Sequence, residues 1–245
     1  MDTRVTEVAD RVHQLTTVVP GSPVAYNQYL VAGDEPLLFH TGTRGLFPLV
    51  RDAVARVVPP ESLRWISFGH VEADESGSMN DWLAIAPHAT VVQSQIGCMV
   101  SITDLADRAP RPLADREQLE IGDHLLQWLD TPHVPHAWEA GLLYEATTKT
   151  LFCGDLFTRL GEYEASTDDD IVGPAVYAED TLSGSLSLHP ASGDVIRRLA
   201  ELDVETLALM HGPAFTGDCA AALHELAADY ERRIERIAAG STAVG

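Results

Sequence analysis

Cysteine is scarce in this chain, and basic residues are outnumbered. Cys98, Cys153 and Cys219 are odd in number and widely spaced, which argues against a disulfide framework and against a thiolate zinc site. A reducing compartment fits, so the chain is expected to be cytoplasmic. The first twenty residues lack an uninterrupted apolar run, and no stretch approaches the roughly eighteen apolar residues of a membrane span. No membrane association is therefore expected. With 16 basic against 37 acidic side chains, and a formal net charge of -21, the surface repels phosphate backbones and anionic lipid head groups. Nucleic acid is not expected as a partner. Gly/Ser-rich linkers, low-complexity tracts and short-period repeats are absent as well. The 245 residues, 45% of them hydrophobic, are accordingly read as one domain over 1–245 with a large buried core.

Short apolar runs predict strands at Tyr26–Val31, Leu37–His40, Leu63–Gly69, Ala89–Gln93, Leu125–Leu129, Gly141–Ala146, Thr150–Gly154 and Thr206–Met210. Leu46, Val50 and Val54 recur every four residues between Pro48 and the stop at Pro59-Pro60, as in a helix with one buried stripe. A second helix is expected over Asn80–Ala86. The last begins after Asp218, a good N-cap, with Leu223, Leu226, Ala227, Tyr230, Ile234 and Ile237 on one face. From Thr158 to Pro190 there is little periodicity, and a run of that length is expected to be a functional loop lying over a site.

The segment WISFGHVEADESGS places His70, Glu72 and Asp74 at alternate positions directly after a strand. In an extended or tightly turned loop, alternate side chains can point the same way, so an imidazole and two carboxylates can converge on one or two metal centres. Further candidates lie just past other strands: His136 after LLQWLD, Asp155 closing TLFCGD and His211 closing TLALMH. In layered α/β structures such strand ends form a shared rim where ligands collect. TPHVPHAWEA offers two histidines. Counting back from the LLYE strand favours His136, whereas a Thr-Pro closely followed by His favours His133, which is kept as a neighbour or substitute. Trp138, Tyr163 and Tyr177 are candidates for the mouth of a pocket. His13, His88, His124, His189 and His224 are read as structural or solvated, and Cys153 as a small buried hydrophobe.

His-x-Glu-x-Asp, then a lone His, Gly-Asp-Leu-Phe and His-Gly-Pro together resemble the metallo-β-lactamase superfamily. Within it they resemble the di-iron domain of flavodiiron proteins and the smaller oxygen-binding di-iron proteins. YNQYLV is similar to the opening Asn-x-Tyr-Leu strand, LFHTG to the second strand and turn, and LMHGPAF to the closing ligand segment. The resemblance implies an α/β, four-layer αββα sandwich. It also implies that Asp155 bridges two metals, with His70, Glu72 and His136 on one and Asp74 and His211 on the other. Hydrolytic relatives carry His at the third position of the first motif, and the di-iron branch carries Glu, as this chain does at Glu72. A carboxylate makes the site harder and more negative, which suits iron or manganese over zinc.

Two positions depart from the pattern. The residue after Asp74 is usually His in both branches but is Glu75 here, which can ligate the second metal, act as an outer base, or leave that metal an open coordination position. Similar proteins often have Asp where this chain has His40, which can orient a ligand or simply pack. The implied function is a non-haem di-iron protein that binds dioxygen or nitric oxide and reduces it or senses it. One helix follows His211, so no flavodoxin-like domain and no flavin bound by this chain alone are expected. Electrons would come from a separate flavoprotein or rubredoxin-like donor. Related folds often associate as homodimers, and no sequence feature decides this. The alternative is a dinuclear metallohydrolase, with zinc or manganese, acting on an ester, thioester, lactone or phosphodiester.

Overall fold

A computed structural model describes residues 1–182 and 184–241. The first sheet runs in spatial order through β1 (Thr3–Ala9), β2 (Val12–Val18), β3 (Ala25–Val31), β4 (Leu37–Phe39), β5 (Trp65–Ser67), β6 (Thr90–Ser94) and β7 (Arg111–Leu113). β1 to β4 form an antiparallel meander, and β4 to β7 pair in parallel. The second sheet contains β8 (Gln118–Ile121), β9 (His124–Asp130), β10 (Gly141–Glu145), β11 (Thr150–Phe152), β12 (Ser166–Thr167), β13 (Thr206–Ala208) and β14 (Ala214–Phe215), in the order β12-β14-β13-β11-β10-β9-β8. Its central pair, β11 and β13, is parallel. Their carboxyl ends therefore lie side by side.

Helices cover both outer faces. On the first sheet lie α1 (Phe47–Val54), α2 (Ala73–Ser76) and α3 (Met79–Ile85), with the short turns α4 (Gln95–Gly97) and α5 (Thr103–Leu105). Val50, Val54, Met79, Trp82 and Leu83 pack there against Leu15, Leu30, Leu38 and Ile66. On the second sheet lie α6 (Val172–Thr181), α7 (Ser192–Leu199) and α8 (Cys219–Ser241). Leu223, Leu226, Ala227 and Tyr230 of α8 share a cluster with Leu142, Leu151 and Leu207. A third cluster, including Tyr29, Phe39, Trp128, Leu143 and Phe152, fills the space between the sheets. Each sheet thus buries both faces, at about 1.5–3 kcal/mol per large apolar side chain, and the layers are those of the αββα sandwich.

All eight expected strands form, within a few residues of their expected ends. β1, β2, β7, β8, β12 and β14 were not expected. Gln14, Thr16 and Thr17 are buried in β2, where Gln14 Nε2 donates to the Tyr29 hydroxyl at 3.1 Å and Thr17 pairs with Thr3, so a hydrogen-bonded strand hides behind a polar sequence. The aperiodic stretch also holds more structure than expected. α6 buries Val172, Ala175 and Ala178, small residues whose contrast with their neighbours is weak. On α8, Asp218 Oδ1 accepts from Ala221 N at 2.9 Å, as an N-cap does, but the buried stripe ends early and Ile237 is 56% exposed. No helix of the described residues is long and apolar enough to cross a membrane. All three cysteines are buried and free.

Candidate metal centre

The carboxyl ends of β5, β9, β11 and β13 meet at one rim. Gly141 N donates to Gly69 O at 2.9 Å there, tying the two sheets together. A Cβ on Gly69 would lie 3.0 Å from the Gly141 carbonyl, so this approach needs glycine. Gly154 has a φ of +51° and turns the chain after β11 so that Asp155 points inward. Glu72 is extended, at φ -134° and ψ 159°, and caps α2, whose first turn carries Asp74. Glu72 N donates to His70 O at 3.2 Å, a tight turn that leaves the His70 and Glu72 side chains 2.9 Å apart on one side.

These side chains converge in two groups that share Asp155. His70 Nε2 lies 2.9 Å from Glu72 Oε2 and 3.8 Å from Asp155 Oδ2. His136 Nε2 lies 2.9 Å from the same Asp155 oxygen and 3.3 Å from Glu72 Oε2. Ligand atoms of His70, Glu72, His136 and Asp155 all fall within 4.8 Å of one another, a spacing that could hold a metal ion. On the other side, His211 Nε2 lies 3.3 Å from Asp74 Oδ2 and 3.2 Å from Asp155 Oδ1.

The far nitrogens are fixed from behind. His211 Nδ1 donates to the Ala25 carbonyl at 2.8 Å, and Asn27 Nδ2 donates to the carbonyls of Leu209 and Gly212, both at 2.7 Å. Thus β3 of one sheet holds the His211 loop of the other, a job for the Asn of the YNQYLV segment that its sequence alone did not reveal. His70 Nδ1 faces Glu75 Oε1 at 3.2 Å, and Glu75 Oε2 accepts from His70 N at 2.8 Å. Glu75 is fully buried behind His70, against His40 Nε2 at 3.3 Å, and away from the shared Asp155. Its position beside His70 and His40 is that of an outer group, the place expected of the second of the three roles left open for it, an outer base. His40 sits in the turn after β4 at φ +64° and touches the cluster through Glu75. His133 stacks on His189 with ring centroids 4.6 Å apart and stays outside both groups.

Charge follows from this packing. Burial opposes protonation of His70, but Glu75, Glu72 and Asp155 outweigh it and raise the imidazole to about 11. His211 is likewise pushed well above its ordinary value, against burial, by Asp155 and Asp74. Burial alone would raise Asp155, yet His136, His211 and His70 hold its carboxyl well below the usual carboxylate range. Glu72 is lowered by its hydrogen bond with His70. A cavity of about 400 Å³ opens over the cluster, bounded by Glu72, Asp74, His136, Asp155 and His211 on one side and by Thr158, Ala178, Glu179 and Leu186 on the other. The 158–190 stretch does overlie the site. Trp138, Tyr163 and Tyr177 are not among its lining residues; Trp138 and Tyr177 are exposed elsewhere.

Over residues 24–212 the sequence matches the family model described as ODP family beta lactamase. The chain belongs to this family. Among curated relatives, diflavin flavoprotein A 1 of a Synechocystis strain is 26% identical over 213 residues, covering 81% of this chain and 35% of the relative. An uncharacterized protein of Methanocaldococcus jannaschii is 26% identical over 194 residues, covering 76% and 48%. The chain spans about a third of the length of the first curated relatives it matches. Among solved structures, the rubredoxin oxygen:oxidoreductase of Desulfovibrio gigas superposes with a TM-score of 0.79 at 16% identity, over 93% of this chain and 62% of that one. The flavodiiron protein of Giardia intestinalis gives a TM-score of 0.77 at 18% identity, over 94% and 59%. The fold of this ODP-family chain is that of flavodiiron cores.

Its donor set suits a cation between His70, Glu72, His136 and Asp155, and Asp155 extends the cluster to His211 and Asp74. With His211 Nδ1 donating to the Ala25 carbonyl and His70 Nδ1 facing Glu75 Oε1 at 3.2 Å, the Nε2 atoms of the neutral imidazoles would present lone pairs to carboxylate oxygens. A proton or a metal ion must lie between them. Asp155 Oδ1 is buried and makes no hydrogen bond, although His211 lies beside it. Three carboxylates and three imidazoles form an oxygen-rich set of the kind that favours iron or manganese, and the three negative charges of Glu72, Asp74 and Asp155 fall one short of the four on two divalent ions.

Proposed function

We propose that this chain is a non-haem di-iron protein that takes up dioxygen, or the related diatomic nitric oxide, and reduces it with electrons from a separate one-electron carrier protein. The observation that carries this reading is the division of Asp155 between two groups, Oδ2 toward His70, His136 and Glu72 and Oδ1 toward His211 and Asp74. On this reading His70, Glu72, His136 and Asp155 would hold one iron, and Asp74 and His211, with Asp155, would hold the other. Bound there, the iron pair would supply the redox equivalents for the diatomic ligand. Residues of this chain do the rest. Glu75 and the Ala25 carbonyl set the tautomers of His70 and His211 so that both present Nε2, and the stretch over the cavity limits access of water to the ligand.

The test is elemental analysis of protein expressed with iron and zinc both supplied, followed by an optical spectrum after reoxidation. Two irons per chain are expected. Two zincs would overturn the reading in favour of a hydrolase. Anaerobic reduction and exposure to dioxygen then separates a reductase, which turns over repeatedly with a donor, from a sensor or carrier, which forms one long-lived coloured adduct.

A further inference from the structure

The cavity wall opposite the cluster carries an acid that the metal ligands do not use. Glu179, on α6, lines the cavity together with Glu72, Asp74 and Asp155. Those three carboxylates each face an imidazole, His70, His211 and His136 respectively. No imidazole faces Glu179 among the described residues. Its side chain is only 7% exposed, and Oε2 has no hydrogen-bond donor. Its cationic neighbour is Arg233 of α8, which is already committed: Nε donates to Asp229 and Nη1 to Asp180 at 2.8 Å, leaving a 3.4 Å approach to Glu179. Arg232 is drawn to Asp229 at 3.1 Å. The remaining group facing Glu179 from α8 is the buried hydroxyl of Tyr230, which also lacks a partner.

One guanidinium therefore serves three carboxyl groups, and the one with the poorest geometry and least water has most reason to stay neutral. Burial pushes the Glu179 carboxyl up to about 7, with Asp229 and Asp180 adding to the rise and Arg233 opposing it. A second hollow of about 400 Å³, lined by Asp180, Leu188, Arg233 and Ile237, shares Glu179, Gly184 and Leu186 with the first. Glu179 thus lines both.

We propose that Glu179 is the acid that delivers protons into the cavity over the cluster and regains them from water in the outer hollow. This rests on the reading of the cavity as a dioxygen site. Reduction of dioxygen to two waters takes four electrons and four protons. The electrons come from the carrier protein. Each proton leaves the O–H of Glu179 for an oxygen of the held ligand, and the resulting carboxylate takes the next from the outer side. A group that cycles in this way works best with an affinity for protons matched to the working pH.

The test compares wild type with Glu179→Gln, which keeps size and packing but cannot give up a proton, and with Glu179→Asp. Infrared spectra of the full chain from about pH 5 to about pH 9 are expected to show a protonated-carboxyl band that titrates near 7 and is missing from E179Q. With iron loaded and a reduced donor supplied, E179Q is expected to consume dioxygen on the order of 10²-fold more slowly at unchanged iron content, without the inflection near neutrality, and E179D to recover part of the rate. Persistence of the band in E179Q, or an unchanged pH profile of consumption, overturns the proposal. If wild type itself takes up no dioxygen, the reading of the site falls and proton delivery falls with it; the infrared titration still shows separately whether Glu179 holds the proton.

Discussion

Glu75→Gln isolates what one buried carboxylate does for an imidazole it does not share with the cavity. Glu75 accepts from His70 N at 2.8 Å and faces His70 Nδ1 at 3.2 Å and His40 Nε2 at 3.3 Å. A glutamine can keep the backbone bond through its amide oxygen, but its NH2 group then meets both imidazole nitrogens. A donor cannot accept from Nδ1–H, so His70 relieves the clash by moving its proton to Nε2, which removes the lone pair that faces Glu72 and Asp155. Supporting changes of this kind cost roughly 10–100-fold in metal affinity. The ion facing His70 should weaken by that factor. The ion facing His211 should change little, because its imidazole is anchored by Ala25. Chelator competition on reconstituted protein measures both, with circular dichroism to verify folding. If folded E75Q binds both ions within about twofold of wild type, or its affinity falls more, relative to wild type, on the His211 side than on the His70 side, the tautomer argument is wrong.

Asp155→Asn should lose both metals by elemental analysis, since each of its oxygens faces a different group, whereas His133→Ala should lose neither, because that ring stacks on His189; loss of metal in H133A would mean that the loop before β10 has been misassigned. Stability should also vary with pH through Glu179. Its carboxyl is raised from 4.5 to about 7 in the folded chain, so between those values the folded state binds more protons than the unfolded one, and unfolding free energy falls as pH rises, by up to about 3 kcal/mol. E179Q removes that slope, and urea melts should show it gaining on wild type from about pH 5 to about pH 8. An equal difference at both ends would refute the assignment of a raised carboxyl.

The parts of the fold that the sequence revealed are those whose apolar runs are buried on both faces. β10 and β11 are wholly buried, and their uninterrupted runs can be read without knowing their partners. β2 is buried as well, but it satisfies Gln14 and Thr17 through contacts with residues distant in sequence, and no local pattern carries that information. α6 was illegible because valine, glycine, proline and alanine give its two faces nearly the same character. At the site, strand-end positions pointed to the six central side chains, and the structure brings all six together. What sequence could not supply was direction. Glu75 follows Asp74 immediately, yet one residue of helical turn carries it to the far side of His70. Glu179 carried no motif; its significance lies in an unpaired oxygen and an overcommitted arginine, both products of the tertiary fold.

The two departures at His40 and Glu75 become one once they are seen in contact. The resemblance leads to an acid in the turn after the second strand and a base after Asp74; this chain has the base at His40 and the acid at Glu75, 3.3 Å apart in the buried rim. The pair keeps one imidazole and one carboxylate, so neither replacement leaves two carboxylates side by side in a dry site, where an unmatched ion costs several kcal/mol. The exchange has a directional consequence. An imidazole after Asp74 could compete for a metal, whereas the carboxylate of Glu75 is held between His70 and His40 and packed under Gly69 and Gly154, whose added Cβ atoms would lie 3.2 and 3.3 Å from its oxygens. The Asp74 and His211 half of the cluster is thereby left with Asp155 as its third donor, against four donors in the half around His70. Asp74 and His211 also border the cavity. Under the di-iron reading, the half that would hold its metal with fewer donors of this chain is thus the one of Asp74 and His211, with cavity beside it and the wall residue Glu179 across the same space.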